Sequence, residues 1–114
     1  MLKVKSNSSI TSRIRRLLKA YIGSKMPTLD ETAAQIAISP QSLRRKLAAE
    51  GNSYQVIKDE LRRDVAIDLM AAQVSLNEVS QWVGFSESST FYRAFKKWTG
   101  VPPGAYRQAW LKAI

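Results

Sequence analysis

Hydrogen-bonding and cationic side chains are concentrated in one stretch, GFSESSTFYRAFKKWTG, residues 84–100. Aromatic residues recur there at helical spacing, so hydroxyl and basic side chains fall on the other side of the same helix. Hydroxyl, ammonium and guanidinium groups on one exposed face recognise a partner by hydrogen bonding and charge, without making or breaking covalent bonds. The stretch is therefore either a packing helix alone or a packing helix with a binding face.

The composition excludes several kinds of catalytic and metal site. The 114 residues include no cysteine and no histidine, which excludes disulfides, thiolate nucleophiles, zinc sites of the Cys or His type and Ser-His triads. The carboxylates of Glu60, Asp64 and Asp68 share a polar helix face without a partner base. We expect them to pair with basic residues of neighbouring helices; contact with another protein is the alternative. We expect no catalytic residue, no metal ligand and no cofactor, and we expect that the protein is not an enzyme.

The charge balance favours a polyanionic partner. The formal net charge is +9 and the isoelectric point is near 10.2, which fits nucleic acid or an anionic membrane surface, with a basic surface kept for solubility as the alternative. No apolar run reaches the ~20 residues that span a bilayer, and no signal peptide opens the chain. We therefore expect a cytoplasmic protein without a membrane partner.

Hydrophobic periodicity and capping residues predict an all-α chain of seven helices. The fourth helix is long and should bury a stripe of Tyr54, Ile57, Leu61, Val65 and Leu69. Trp82 and Trp110 should be buried or half-buried, and Tyr106 and Trp110 should anchor the last helix. The first helix is predicted from Ile10 to near Gly23, the second begins at the Thr28–Glu31 capping box, and the third runs from Ser39-Pro40 to Gly51. The fourth is predicted from about Ser53 to Gln73, and the fifth from the Ser75–Glu78 capping box to Val83-Gly84-Phe85. The sixth runs from Ser86 to Gly100 and the seventh from Ala105 to Leu111.

The chain contains an internal repeat. A short capped helix, a tight turn and a second helix occur twice, with a small residue, Ala33 or Ser80, where the two helices pack. This is the outline of a helix-turn-helix, whose second helix enters the DNA major groove. Leu29, Ala33, Ile36, Ile38 and Ser39 correspond to Leu76, Ser80, Val83, Phe85 and Ser86 at an offset of 47, and Leu43 and Leu47 to Phe91 and Phe95 at an offset of 48.

The repeat predicts two helix-turn-helix subdomains joined by a long linker helix. We assign residues 1–9 to a flexible leader or linker, 10–52 to the first subdomain, 53–73 to the linker helix and 74–114 to the second subdomain. A ~20-residue helix is ~30 Å long, close to the ~34 Å between successive major-groove segments on one face of a duplex. One polypeptide could thus read an asymmetric site as a monomer.

The polar faces of the two second helices supply the candidate DNA-binding residues. N-terminal side chains of a recognition helix lie nearest the base edges, and basic residues further along are better placed for phosphates. A solvated basic face is the alternative for residues 44–46, and we expect Ser39 and Ser86 to be N-caps rather than base contacts. The helix starts at Thr28 and Ser75 are further phosphate candidates. The candidate base readers are Gln41, Ser42, Arg44, Arg45, Ser88, Ser89, Tyr92 and Arg93, and the candidate phosphate contacts are Lys46, Thr90, Lys96 and Lys97.

The aromatic residues of the sixth helix suggest a different binding mode, the stacking of single-stranded bases. Phe91, Phe95 and Trp98 lie on one apolar stripe at helical spacing. We therefore expect them to pack in the core.

Three motifs carry a family resemblance. GFSESSTFYRAFKKWTGVPPGAYR at residues 84–107, SPQSLRRKLAAEGNSY and LRRDVA make the chain, from about Ile10 onward, resemble the DNA-binding domain of AraC/XylS-type transcription regulators. The resemblance implies seven helices, two helix-turn-helix motifs, and binding to promoter DNA, usually as an activator that contacts RNA polymerase. It also supports the candidate base readers, except Ser42, which rests on the residue pattern alone. The run LAAEGNSY looks most like the subgroup with an arabinose-binding-like sensor domain.

The chain departs from the family pattern at three points. Ser80 replaces the usual alanine, Trp82 is bulkier than expected near its turn, and the 114 residues do not include the N-terminal sensor or dimerisation domain of most members. We expect an effector-binding N-terminal domain to be missing from a longer regulator, with a naturally short member as the alternative. The predicted function is sequence-specific binding of double-stranded DNA in a bacterial-type transcription regulator; the alternative is a helical protein-interaction module without DNA specificity.

Overall fold

Seven α-helices follow one another in residues 9–111, the part of the chain that the computed structural model describes. No strand occurs in this part, so the all-α prediction and its seven helices are confirmed. None of the described helices is both long and apolar enough to cross a membrane. The helices are α1 (Ile10–Lys19), α2 (Leu29–Gln35), α3 (Pro40–Ala49), α4 (Tyr54–Ala71), α5 (Leu76–Trp82), α6 (Ser88–Thr99) and α7 (Pro103–Tyr106), which continues as a π-helical turn, Arg107–Leu111.

The leader predicted over residues 1–9 lies outside the described residues except for Ser9. Ser9 is the N-cap of α1, and its hydroxyl accepts a hydrogen bond from the Ser12 N–H at 3.1 Å. The first helix ends at Lys19, earlier than predicted, and Gly23 adopts a positive φ of 92° in the connection that follows.

The described residues form two compact units, 9–21 with 25–61 and 22–24 with 62–111, and α4 contributes to both. In the first unit, Ile14, Leu18, Leu43, Leu47 and Ile57 are fully buried in one apolar cluster. This burial fixes one side of α3 and leaves its other side to the solvent.

Helix starts in the first unit confirm the predicted caps. Thr28 and Glu31 form both hydrogen bonds of the capping box at 2.9 and 3.1 Å, and Ser39 caps α3 with Pro40 at the first helical position. The carboxylate of Glu50 accepts hydrogen bonds from the Ile10 and Thr11 N–H groups at the start of α1. These bonds satisfy backbone donors that have no partner within a helix.

The Tyr54 hydroxyl lies in the core of the first unit. It donates to the Pro27 carbonyl at 2.6 Å and lies 2.7 Å from the Thr32 hydroxyl. Since the single Tyr54 proton is used on Pro27, the Thr32 hydroxyl is the donor of the second bond. Burial raises the pKa of Tyr54, which keeps the phenol in its neutral, donating form.

In the second unit Phe91 and Phe95 are fully buried and Trp98 is half-buried, which confirms their predicted packing. The rings of Phe91 and Phe95 lie 5.7 Å apart, and Tyr106 meets Phe95 edge-on at 5.3 Å. The aromatic residues therefore hold α6 by one face, as a packing stripe should.

Two predictions about burial are wrong in the second unit, and a third is incomplete. Val65 and Leu69 pack against the core of this unit but are only partly buried, whereas Ala66 and Met70 of the same half of α4 are fully buried. The buried side of the helix shifts there because this half packs against a different set of helices from the first half. Trp82 and Trp110 are 52% and 63% exposed, so Trp110 is no packing anchor.

Two predicted helix starts also differ. The N-cap of α6 is Glu87, without a side-chain cap bond, and not Ser86. Glu87 matches Ser39 at an offset of 48, so the extra residue of the second turn lies before the cap. The last helix begins at Pro103 rather than Ala105, because Pro102 is extended and proline suits the first helical position.

The sequence predicts a capping box of Ser75 and Glu78 at the start of α5, and Ser75 is the N-cap of this helix. The Ser75 hydroxyl accepts from the Glu78 N–H at 3.2 Å. In a capping box the Glu78 carboxylate would accept from the Ser75 backbone N–H. Here it accepts from the Ser75 hydroxyl instead.

The two turns of the repeat have the same hydrogen bonding. The Ile38 N–H donates to the Ala33 carbonyl at 3.1 Å, and the Phe85 N–H donates to the Ser80 carbonyl at 2.9 Å. Ala33 and Ser80 are both buried, as expected for small residues at a close helix packing. The repeat seen in the sequence is therefore a repeat of structure.

Candidate nucleic-acid interface

Helix α3 presents a polar, basic face in the first unit. Leu43 and Leu47 are fully buried, and Gln41, Arg44, Arg45 and Lys46 are exposed. Ser42 is half-buried, and its hydroxyl accepts a hydrogen bond from Arg45 Nη2 at 3.4 Å. All five candidate residues of this helix thus lie on or beside its solvent face.

Helix α6 has the same arrangement in the second unit. Six of its seven candidate residues are exposed, and the Tyr92 side chain is 40% exposed with its ring edge-on to Phe91 at 6.0 Å. Ser88 is half-buried at the first helical position. The exposed candidates are Ser89, Thr90, Tyr92, Arg93, Lys96 and Lys97.

Ser88 has a hydrogen-bond partner that the sequence does not predict. The Ser88 hydroxyl donates a hydrogen bond to Asn77 Oδ1 at 2.7 Å, which joins the start of α6 to the first turn of α5. The corresponding positions of the first unit are Pro40 and Asp30, which cannot form this bond, so the repeat gave no signal for it. The bond leaves the Asn77 amide N–H groups available at the same exposed edge as the α6 candidates.

The charge on both faces has one sign. Helices α3 and α6 contain Arg44, Arg45, Lys46, Arg93, Lys96 and Lys97 but no aspartate or glutamate. Within residues 9–111, none of these six cations forms an ion pair with a carboxylate. An uncompensated positive face attracts phosphate groups, and guanidinium groups can in addition pair with guanine edges.

Two acidic residues of α4 form ion pairs with arginines. Glu60 pairs with Arg15 of α1 at 3.0 Å, as predicted, whereas Asp64 pairs with Arg63 of its own helix at 2.9 Å. The described residues include no group of three or more acidic, histidine or cysteine side chains that could hold a metal ion.

The fold and these faces define a protein with two helix-turn-helix units, each presenting the basic face of its second helix. Residues 32–109 match the helix-turn-helix domain family of the AraC type. The chain belongs to this family, whose members are DNA-binding domains of transcriptional regulators.

Individual transcriptional regulators are also similar to the chain. The chain is 42% identical over 101 residues to the ornithine utilization regulator of Pseudomonas aeruginosa, a match that covers 88% of this chain and 30% of that protein. The crystal structure of the transcriptional regulator CdpR from Pseudomonas aeruginosa is 32% identical, with a TM-score of 0.83 over 92% of this chain and 33% of that one. A DNA-binding transcriptional dual regulator from Escherichia coli K-12 is 26% identical, with a TM-score of 0.80 over 88% of this chain and 90% of that one. The chain thus spans about 30% of the length of the curated relatives it matches.

Proposed function

We propose that the chain reads a specific duplex sequence with α3 and α6, each helix entering one major-groove segment. The observation that carries this proposal is the repeated construction of the two helices. Each has two fully buried apolar residues one turn apart, Leu43 and Leu47 or Phe91 and Phe95, and an opposite face with basic residues and no carboxylate. A helix held in this way presents its side chains in a fixed orientation, which base reading requires.

The residue roles follow from position along each helix. In the first turns lie Gln41, Ser42, Ser88 and Ser89, and one turn later come guanidinium groups that can form bidentate contacts with guanine. Lysines further along each helix suit phosphates. We assign base reading to Gln41, Ser42, Arg44, Arg45, Ser88, Ser89, Tyr92 and Arg93, and phosphate contact to Lys46, Thr90, Lys96 and Lys97.

We also infer that the chain works as part of a longer cytoplasmic regulator. The relatives are about three times as long as the matched segment, which leaves room for an effector-binding domain. Such a regulator would act as an activator that contacts RNA polymerase, and the run LAAEGNSY supports the subgroup with an arabinose-binding-like sensor. These assignments rest on the resemblance of the motifs.

Selection from a random duplex pool, followed by fluorescence anisotropy, tests the proposal. Wild-type protein should enrich one sequence, and Arg45→Ala and Arg93→Ala should each lose more affinity for it than for random duplex. Arg13→Ala removes an exposed arginine from α1 and serves as the matched control. Equal losses on both duplexes would remove Arg45 and Arg93 from the base readers. No binding of random duplex at ~10 μM protein and low salt would instead favour a protein-interaction module, because non-specific DNA affinities of such domains are roughly 1–100 μM even at physiological salt.

A further inference from the structure

A groove of about 620 Å³ opens on the surface of the first unit beside α3. Its apolar lining includes the buried Leu47 and Tyr54, the half-buried Leu29 and the exposed Ala48. Sites for small organic molecules are typically ~300–1,000 Å³ in volume and mostly apolar, with a few polar groups. The groove has the size and lining of such a site.

The one polar atom of the Tyr54 ring is satisfied away from the groove. Its hydroxyl is bonded to Pro27 and Thr32 inside the core. Because a buried polar group with its hydrogen bonds already made needs no further partner, the ring can contact an apolar molecule without a desolvation cost at the hydroxyl. The lining therefore favours an apolar body.

The charged groups along the groove are both cations. Arg44 and Arg45 line it and are exposed, and among the described carboxylates none pairs with either. A guanidinium group binds a carboxylate or sulfonate through paired N–H groups. An apolar lining with two cations along it complements a small organic anion.

The second unit has different residue types at the positions that correspond to Ala48 and Arg44 of the groove. At an offset of 48, Ala48 corresponds to Lys96, and Arg44 corresponds to Tyr92. The longer Lys96 side chain thus stands where the small Ala48 leaves space in the first unit. The repeat therefore shares Leu29 and Arg45 of the lining, as Leu76 and Arg93, but it does not share Arg44 and Ala48.

We propose that this groove binds a small organic anion with an apolar body. The anionic group lies on Arg44 and Arg45, and the apolar body lies against Leu29, Ala48 and Tyr54. Since Arg44 and Arg45 are also assigned to base reading, the bound anion excludes DNA from α3. This last step rests on the proposed function, whereas binding of the anion does not.

Two fluorescent probes with nearly the same apolar body test the groove. 1-Anilinonaphthalene-8-sulfonate carries a sulfonate, and N-phenyl-1-naphthylamine does not. The Arg44→Gln/Arg45→Gln variant should weaken the sulfonate probe about tenfold or more, since hydrogen bonds to charged groups are among the stronger ones, and should change the neutral probe less than about twofold. Arg13→Gln, with one exposed arginine removed from α1, should bind both probes as the wild type does.

Ala48→Leu separates groove binding from surface binding. The larger side chain fills the groove without changing the charge, so both probes should bind several-fold more weakly. Unspecific adsorption would instead be unchanged or increased by the added apolar surface. Unchanged binding in Ala48→Leu, or equal losses in the double arginine variant and Arg13→Gln, would overturn the site.

Displacement by duplex DNA tests the competition. The selected duplex should release the sulfonate probe in proportion to the DNA bound, and simultaneous binding of both would refute the exclusion. If no duplex binds at all, the proposed function fails together with the exclusion, while the probe titrations still decide whether the groove is a site.

Discussion

Ala37 and Gly84 occupy the same place in the two helix-turn-helix turns, and both have a positive φ, 59° and 94°. They are 47 residues apart, the offset of the repeat, and each precedes the residue whose N–H returns to Ala33 or Ser80. Glycine adopts this conformation freely, whereas the alanine Cβ clashes with its own backbone there. The first turn therefore carries a strain that the second turn avoids.

Exchanging the two residue types should change stability in opposite directions. Ala37→Gly should raise the free energy of unfolding by about 0.5–1 kcal/mol, the relief of strain less the greater unfolded-state entropy of glycine. Gly84→Ala should lower it by a similar amount, since an added Cβ would lie 3.5 Å from Arg62 Nη2, an ordinary contact. Urea unfolding measures both.

Gly104→Ala is the control for this pair. Gly104 lies in α7 with open space around it, so alanine there should stabilise the protein through helix propensity. Loss of stability in both Ala37→Gly and Gly84→Ala would contradict the assignment of strain to φ.

Caps and turns could be predicted from the sequence because they depend on neighbouring residues. The Thr28–Glu31 capping box, the Ser39 cap before Pro40 and the αL Gly100 after α6 are local hydrogen-bonding and backbone preferences. The basic faces of α3 and α6 followed from helical periodicity alone.

The rest depends on which elements meet in space. Val65 and Leu69 fit the apolar period of α4, but Ala66 and Met70 face the core because α6 and its neighbours lie there. The exposure of Trp82 depends likewise on tertiary packing. The Ser88–Asn77 bond and the groove at Tyr54 join residues that no periodic pattern connects.

Gly23 and Trp82 should be coupled, because a Cβ built on Gly23 would lie 2.3 Å from Trp82 Cζ3. Gly23→Ala should therefore displace the exposed indole, and its φ of 92° should cost about 0.5–1 kcal/mol, as at Gly84. Fluorine NMR of the 5-fluorotryptophan-labelled protein should show a shift of the Trp82 resonance, with those of Trp98 and Trp110 unchanged.

Gly51→Ala isolates the backbone cost of that change. Gly51 also has a positive φ, 75°, and no atom lies within 4 Å of an added Cβ. Gly51→Ala should lower the free energy of unfolding by a similar amount without shifting any tryptophan resonance. A Trp82 resonance that stays in place in Gly23→Ala would show that the two residues are not in contact.

Glu50 should make stability depend on pH at the acid end. The Thr11 side chain lowers the pKa of Glu50 below its usual value of 4.5, against a smaller opposing effect of burial, and the N–H groups of Thr11 and Ile10 lower it further. A depressed folded-state pKa stabilises the protein above the unfolded pKa, and this contribution is lost as pH falls through the folded value. Glu50→Gln should cost about 0.3–1 kcal/mol at neutral pH, as expected for a carboxylate at a helix N-terminus.

Unfolding between pH 6 and pH 2.5 tests the sign. The difference between wild type and Glu50→Gln should shrink below pH 4.5 as the wild-type carboxyl becomes protonated. Asp68→Asn, which removes a carboxylate from an exposed face of α4, should follow the wild type. A difference that grows as pH falls would exclude stabilisation of the start of α1 by the Glu50 carboxylate.

Lys97 and Arg93 should affect DNA binding in different ways if they contact phosphate and base respectively. Lys97→Gln should weaken specific and random duplex alike and reduce the slope of log K against log salt by about 0.9, the release of one counterion. Arg93→Gln should cost roughly 1–3 kcal/mol on the selected duplex and much less on random DNA. Lys19 is an exposed lysine of α1 outside both faces, so Lys19→Gln controls for net charge.

Titrations at four salt concentrations separate the roles, because a base reader changes the preference between sequences and a phosphate contact changes the salt dependence. If Lys97→Gln and Lys19→Gln gave the same slope, α6 would bind phosphate through its general charge and not through Lys97.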